Sequence, residues 1–103
     1  MNLPGFEWDE GNREHVLADH PERGNTIKEV ESVFYDPWLT LKPNRIVNEE
    51  ERFMAVGEGA GGTIRVVVFI FQNDLIRPIS CWEANKKVKS QYYEARQKKD
   101  IRN

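Results

Sequence analysis

The pattern of apolar and polar positions is sharpest from Glu50 to Ala84, in the run EERFMAVGEGAGGTIRVVVFIFQNDLIRPISCWEA. Alternation and β-branched content predict a short strand over 52–57, a glycine-rich turn at Gly57, Gly59, Gly61 and Gly62, and a second strand over 63–71. A polar Gln72-Asn73-Asp74 turn and a further apolar run over 75–81 follow, giving a meander of neighbouring antiparallel strands. Pro78 removes a ladder donor, which places its strand at an edge or an irregular position. Ahead of the meander the period is helical. Asp9 is placed to cap a helix reaching about Asp19, with Val16 and Leu17 as its thin apolar stripe and Phe6 and Trp8 to support it, and Pro21 ends it. Thr26 and Glu29 have capping-box spacing, and Ile27, Val30, Val33 and Phe34 recur at helical intervals until Asp36-Pro37 stops them. Trp38 to Leu41 alternates as a short strand, and Lys42 to Glu51 reads as a polar connection. After the meander, Ala84, Val88, Tyr92 and Ala95 form one narrow apolar stripe of a third helix, with Lys86, Lys87, Lys89, Arg96, Lys98, Lys99 and Arg102 around it.

These elements predict an α+β fold: an antiparallel sheet packed with two N-terminal helices and one C-terminal helix. At 103 residues the chain is read as one domain, since two independent cores would have too little surface to bury. Its 39% hydrophobic and 31% charged content is that of a globular protein rather than a disordered one. No apolar run approaches the roughly 20 residues of a membrane span, and the N-terminus has no basic region followed by an apolar stretch, so no membrane role and a cytoplasmic location are expected. The single cysteine, Cys81, excludes an internal disulfide and a cysteine cluster for zinc, and its ordinary role is that of a small strand residue.

The net charge of −2 conceals an asymmetry. Residues 1–58 hold 13 acidic and 6 basic side chains, whereas residues 59–103 hold 4 acidic and 9 basic. A polyanion would therefore meet the C-terminal half, and the acidic half faces solvent or a basic partner. His15 and His20 are five apart, the wrong spacing for one helical face, and the sequence offers no third ligand, so neither a metal nor a cofactor is expected. Glu49, Glu50 and Glu51 form a carboxylate run on polar chain, where solvation is the usual state and an acid–base role the alternative. Were the polyanion an RNA, its cleavage through its own 2′-hydroxyl would require a base, cations to stabilise charge on phosphorus, and an acid for the leaving 5′-oxygen. Arg77 and Arg65, on neighbouring strands, are candidates for the cationic role if they lie side by side on one sheet face. His20 is a candidate acid or base, with Tyr92 and Glu51 behind it. Lys86, Lys87 and Lys89 can hold phosphates without reading sequence.

The chain resembles the BrnT family of small toxins from bacterial toxin-antitoxin systems, which are RelE-like ribonucleases. The resemblance rests on Phe6-Glu7-Trp8-Asp9, Asp19-His20-Pro21, Val33-Phe34, Asp36-Pro37, Glu50-Glu51-Arg52-Phe53, Gly57, Val66-Val67-Val68, Ile76-Arg77-Pro78-Ile79-Ser80-Cys81-Trp82 and Tyr92, in order over roughly residues 6–94. It implies a small RelE-like domain, metal-independent RNA cleavage, and neutralisation by a ribbon-helix-helix-type DNA-binding antitoxin. It adds Ser80 and Trp82 to the side chains expected at RNA. The chain departs from the family at three cationic places: Trp82 stands where the family has arginine, Asp19 where it has the lysine before the histidine, and Glu58 where it has arginine after the turn glycine. Each reversed charge repels a polyanion, although Trp82 can stack on a base. The losses leave open a second reading, a binding module that pairs with an antitoxin-like protein, or with itself as a homodimer, and performs no chemistry.

Overall fold

The computed structural model describes residues 3–102, with side chains for residues 3–99. Four strands, β1 (Thr40–Val47), β2 (Glu50–Glu58), β3 (Ile64–Gln72) and β4 (Leu75–Glu83), form one antiparallel sheet in the order β1-β2-β3-β4. The meander and the α+β class expected from the sequence are thus present.

Turn chemistry sets each register. Asn73 and Asp74 close the β3–β4 hairpin at φ 55° and 63°, the left-handed pair that matches strand twist, and Gln72 pairs with Leu75 across it. Between β2 and β3 the chain turns through Gly62 at φ 88°, a value that favours glycine. Gly57 meets a different constraint: a Cβ there would lie 2.9 Å from the Val33 carbonyl oxygen, so the β2 backbone approaches α2 only because the side chain is absent.

The expected polar connection over Lys42 to Glu51 is instead mostly strand. β1 runs to Val47, and Asn48 and Glu49, at φ 50° and 67°, make a two-residue turn into β2. The pattern concealed it because β1 is an edge strand wetted along most of its length, with Leu41 and Ile46 at 57% and 69% exposure. A bulge between Pro43 and Ile46 also breaks the alternation. Pro78 lies on β4, the other edge strand, next to the irregularity between Val68 and Phe69, as its missing donor requires. The leading segment adds one parallel bridge there, Phe6 to Ile76.

The N-terminal helices cover one sheet face. Asp9 caps α1 (Glu10–Arg13) through a capping box with Asn12, and the chain continues as a π turn over Glu14–Ala18 and a 3₁₀ turn over Pro21–Arg23. Thr26 Oγ1 accepts the Glu29 N–H at 3.1 Å and so opens α2 (Ile27–Val33), while the Glu29 carboxylate reaches to Gly61 and Arg65 rather than back along the helix. Val16, Val30, Val33 and Phe34 pack on Ala55, Val67, Phe69, Ile76 and Cys81, with Phe34 meeting Phe69 edge-on at 5.1 Å. On the opposite face α3 (Lys86–Arg102) lays Val88 and Tyr92 against Val56, Ile64 and Val66, with Trp38, Met54 and Trp82 around them. Ala84 precedes this helix, and Asn85 Oδ1 accepts the Val88 N–H at 2.9 Å at its start. No helix among the described residues is long and apolar enough to cross a membrane.

Candidate nucleic-acid interface

Pairing register brings several of the expected side chains to the sheet face that carries α3, because residues paired across strands point the same way. Thr40, Val56, Val66 and Trp82 form one row, and Lys42, Met54, Val68 and Ser80 the next. One step further, Arg77 pairs with Ile70, and Arg52 shares this face by alternation from Met54. Arg77, Ser80 and Trp82 therefore line one side of the face, with Lys42 and Arg52 across from them. Lys86 and Lys87 are exposed at the adjoining start of α3, and Lys89 pairs with Glu83 at 2.6 Å. Arg102, at the far end of that helix, lies outside the described side chains.

Arg77 is held by two carboxylates. Its Nη1 donates to Glu7 Oε1 at 3.0 Å and to Asp9 Oδ2 at 2.8 Å, and its Nη2 donates to Asp9 Oδ1 at 3.1 Å. The hydrogen bond from Arg77, helped by the Asn12 N–H, lowers the Asp9 carboxyl to about 2. The Asp9 bond likewise raises the Arg77 guanidinium above its ordinary value, against the opposing effect of burial.

Arg65 lies elsewhere. It pairs with Glu83, whereas Arg77 pairs with Ile70, so the two arginines occupy different ends of the β3–β4 ladder rather than adjacent positions. Arg65 Nε donates to Glu29 Oε1 at 3.2 Å, and its Nη1 donates to Asn25 Oδ1 at 3.0 Å and the Arg23 carbonyl at 3.2 Å. It is buried among the N-terminal turns and fastens them to the sheet.

The remaining acid–base candidates are dispersed. His20 precedes the 3₁₀ turn, with Nδ1 3.4 Å from Glu22 Oε1 and its ring edge-on to His15 at 6.3 Å. Glu51 is exposed at the start of β2, opposite Ile46. Tyr92 is buried and donates its hydroxyl to Asp36 Oδ2 in a short hydrogen bond. Burial and that bond both push the phenol pKa upward.

Asp36 itself was not singled out by the sequence beyond its role in stopping α2. Its carboxylate accepts the Glu58 N–H at 2.7 Å, the Trp38 N–H at 2.9 Å and the Tyr92 hydroxyl. Burial opposes its charge, but these donors outweigh burial and lower its pKa. Beside it, Arg96 stacks 4.2 Å from the centre of the Trp38 ring and pairs with Glu58 Oε1 at 3.2 Å. Glu58 thus serves to anchor α3. Asp19 lies 3.5 Å from His15, and Trp82 is half-buried against the α3 core.

Lys42 escaped the sequence reading because it joins this face only once β1 is recognised as a strand, whereas Arg52 opens the strand expected over 52–57 and joins it by alternation. The signal for Arg52 was present in its spacing with Met54 ahead of Val56. Among the described residues no group of histidine, cysteine, aspartate or glutamate is arranged to hold a metal ion. Buried Cys81 is held as a thiol, its pKa pushed up to about 11 by burial.

A sheet face with Arg77, Lys42 and Arg52 along its rim, between a short N-terminal helix capped by Asp9 and a basic terminal helix, agrees with the motif order set out above. No curated protein matches this chain. The profile of one protein family, described as the ribonuclease toxin BrnT of type II toxin-antitoxin systems, matches residues 8–87. With most of its length matched in this way, the chain belongs to the BrnT family of ribonuclease toxins.

Proposed function

We propose that this chain is an active toxin: a metal-independent endoribonuclease that cleaves RNA through the 2′-hydroxyl and is silenced by a ribbon-helix-helix-type antitoxin. The observation that carries this reading is the family match over residues 8–87. The grouping of Arg77, Ser80 and Trp82 on one sheet face supports it. Arg77 takes the charge that develops on phosphorus, and Trp82 offers a ring on which a base can stack. Lys86, Lys87 and Lys89 hold flanking phosphates at the start of α3. Glu51 and His20, both accessible to solvent but set apart from each other, are the candidates for the proton-transfer roles. Arg65 and Tyr92 act through the scaffold, since their donors are already engaged by Glu29, Asn25 and Asp36.

A second reading rests on a specific observation. Arg77 already faces two carboxylates, and the cations expected at positions 19, 58 and 82 are absent, so the same face can serve a binding module that does no chemistry. Such a module pairs with an antitoxin-like protein or with a second copy of itself. The purified chain, incubated with mixed cellular RNA in the presence of a chelator, separates the two. Cleavage by the wild-type protein that is lost in Arg77→Ala supports the ribonuclease; a folded, partner-free protein that leaves RNA intact overturns it.

A further inference from the structure

The bulge in β1 opens a cavity of about 250 Å³ lined by Pro43, Asn44, Arg45, Ile46, Glu51, Arg52 and Phe53. Register explains its position. Pro43 pairs with Phe53 and Ile46 with Glu51, so Asn44 and Arg45 together face Arg52, and regular pairing lapses across that gap. A bulge of this kind re-aims side chains, and here it turns an amide and a guanidinium toward a pocket with two apolar walls.

Arg52 is the second observation. Among the described residues, the partly or fully buried arginines Arg23, Arg65, Arg77 and Arg96 all donate to protein acceptors. Arg52 donates to none. Its Nε is buried with no hydrogen-bond partner, and its nearest anion, Glu50 Oε1, lies 3.5 Å away. Its one ion pair, to Glu50, is long and leaves the buried Nε without a hydrogen bond, and the acceptor that fits its planar fork is a carboxylate or a phosphate. Two strand spacings, roughly 10 Å, separate it from Arg77 across Ile70, a distance that a nucleic-acid backbone crosses in one or two nucleotides.

We infer that the β1 bulge pocket is a nucleotide subsite for single-stranded RNA, in which Arg52 and Arg45 hold a phosphate, the exposed Ile46 lies against the base, and Asn44 meets the base edge. The inference rests on the ribonuclease reading for its ligand. It also extends that reading, because Glu51 lines the pocket and so places this nucleotide beside a carboxylate assigned to proton transfer.

The test titrates isotope-labelled protein with a 2′-O-methyl RNA hexamer, which cannot be cleaved, and follows backbone amides by nuclear magnetic resonance. Shifts concentrated at 44–46 and 51–53 are expected. Arg52→Gln weakens binding about tenfold, the loss of one charge-assisted contact. The slope of log affinity against log salt falls by about 0.7 when one phosphate contact to a single strand is removed. Arg45→Ala alters an exposed side chain and gives a folded variant with the same direction of change. Shifts confined to 80–89, or wild-type affinity and slope in both variants, overturn the pocket. RNA cleavage by the same samples is read separately. Cleavage with the hexamer seated elsewhere removes the pocket and leaves the ribonuclease standing, whereas binding in the pocket without cleavage does the reverse.

Discussion

Replacing Asp36 by alanine removes the point at which α2, the end of β2 and α3 are joined. Three donors lose their acceptor: the Glu58 N–H at 2.7 Å, the Trp38 N–H at 2.9 Å and the hydroxyl of buried Tyr92. A hydrogen bond to a charged acceptor contributes about 1.5–3 kcal/mol when buried, and less where water can replace it. The two backbone amides are only partly buried, so the three together are worth about 3–4 kcal/mol. That is a large share of the roughly 5–15 kcal/mol available to a domain of this size. Urea denaturation followed by far-ultraviolet circular dichroism measures it. Asp36→Asn keeps the shape and one acceptor and should cost about half as much. Tyr92→Phe removes one bond, for about 1 kcal/mol, and a double-mutant cycle should give a coupling of at least about 0.5 kcal/mol. The acid side carries a sign check. Because the folded Asp36 pKa lies below its unfolded value, its contribution is present above about pH 4 and is lost as pH falls through the folded value, so the gap between wild type and Asp36→Ala should narrow in acid. An Asp36→Ala variant within 1 kcal/mol of wild type, or additive effects with Tyr92→Phe, would refute the argument that this carboxylate fastens α3.

Cys81, with its pKa raised to about 11, should resist iodoacetamide at pH 8 in the folded protein and react in denaturant, as mass spectrometry would record; rapid native labelling would contradict its burial. Its linkage has the opposite sense to that of Asp36, with stability lost as pH rises above the ordinary thiol range toward the folded value. Asp9→Asn keeps a good helix cap yet removes one of the two carboxylates on Arg77, so RNA cleavage or binding should rise severalfold; a fall in a variant of unchanged stability would make the pair a positioning device instead. Binding of the cognate antitoxin, measured calorimetrically, should weaken about tenfold between low and high NaCl if it covers the basic third helix, and salt-insensitive affinity would favour an apolar interface.

The meander was legible because β3 is buried on both faces, so its β-branched run leaves no other reading, and because each turn carries glycine or asparagine where the backbone needs it. β1 was not legible as a full strand, since an edge strand with water on both sides imposes no alternation and its Asn48-Glu49 turn lacks the usual glycine. For the candidate site, residue types were readable and placement was not. The two-residue turn at Asn73-Asp74 already pairs Arg77 with Ile70, which puts Arg65 beyond its reach, but that inference needs the register and not the period alone. The three-donor hub at Asp36 depends on contacts over 22 and 56 residues, which no local pattern encodes.

The arginines of this chain divide by what they already hold. Arg65 ties the N-terminal turns to the sheet through Glu29 and Asn25, and Arg96 ties α3 to Trp38 and Glu58. Glu58 and Trp82 fit the same division, for Glu58 gives Arg96 its partner and Trp82 packs against the α3 core. What remains near this face for a polyanion, among the described residues, is the group that makes no hydrogen bond to the protein, Arg52, Arg45 and Lys42 on the β1 side and Lys86 and Lys87 at the start of α3, with Arg77 between them under the restraint of Glu7 and Asp9. A phosphate must displace a carboxylate to reach Arg77, while Arg52 need only exchange a long contact to Glu50, so binding should begin at the bulge pocket and engage Arg77 afterwards.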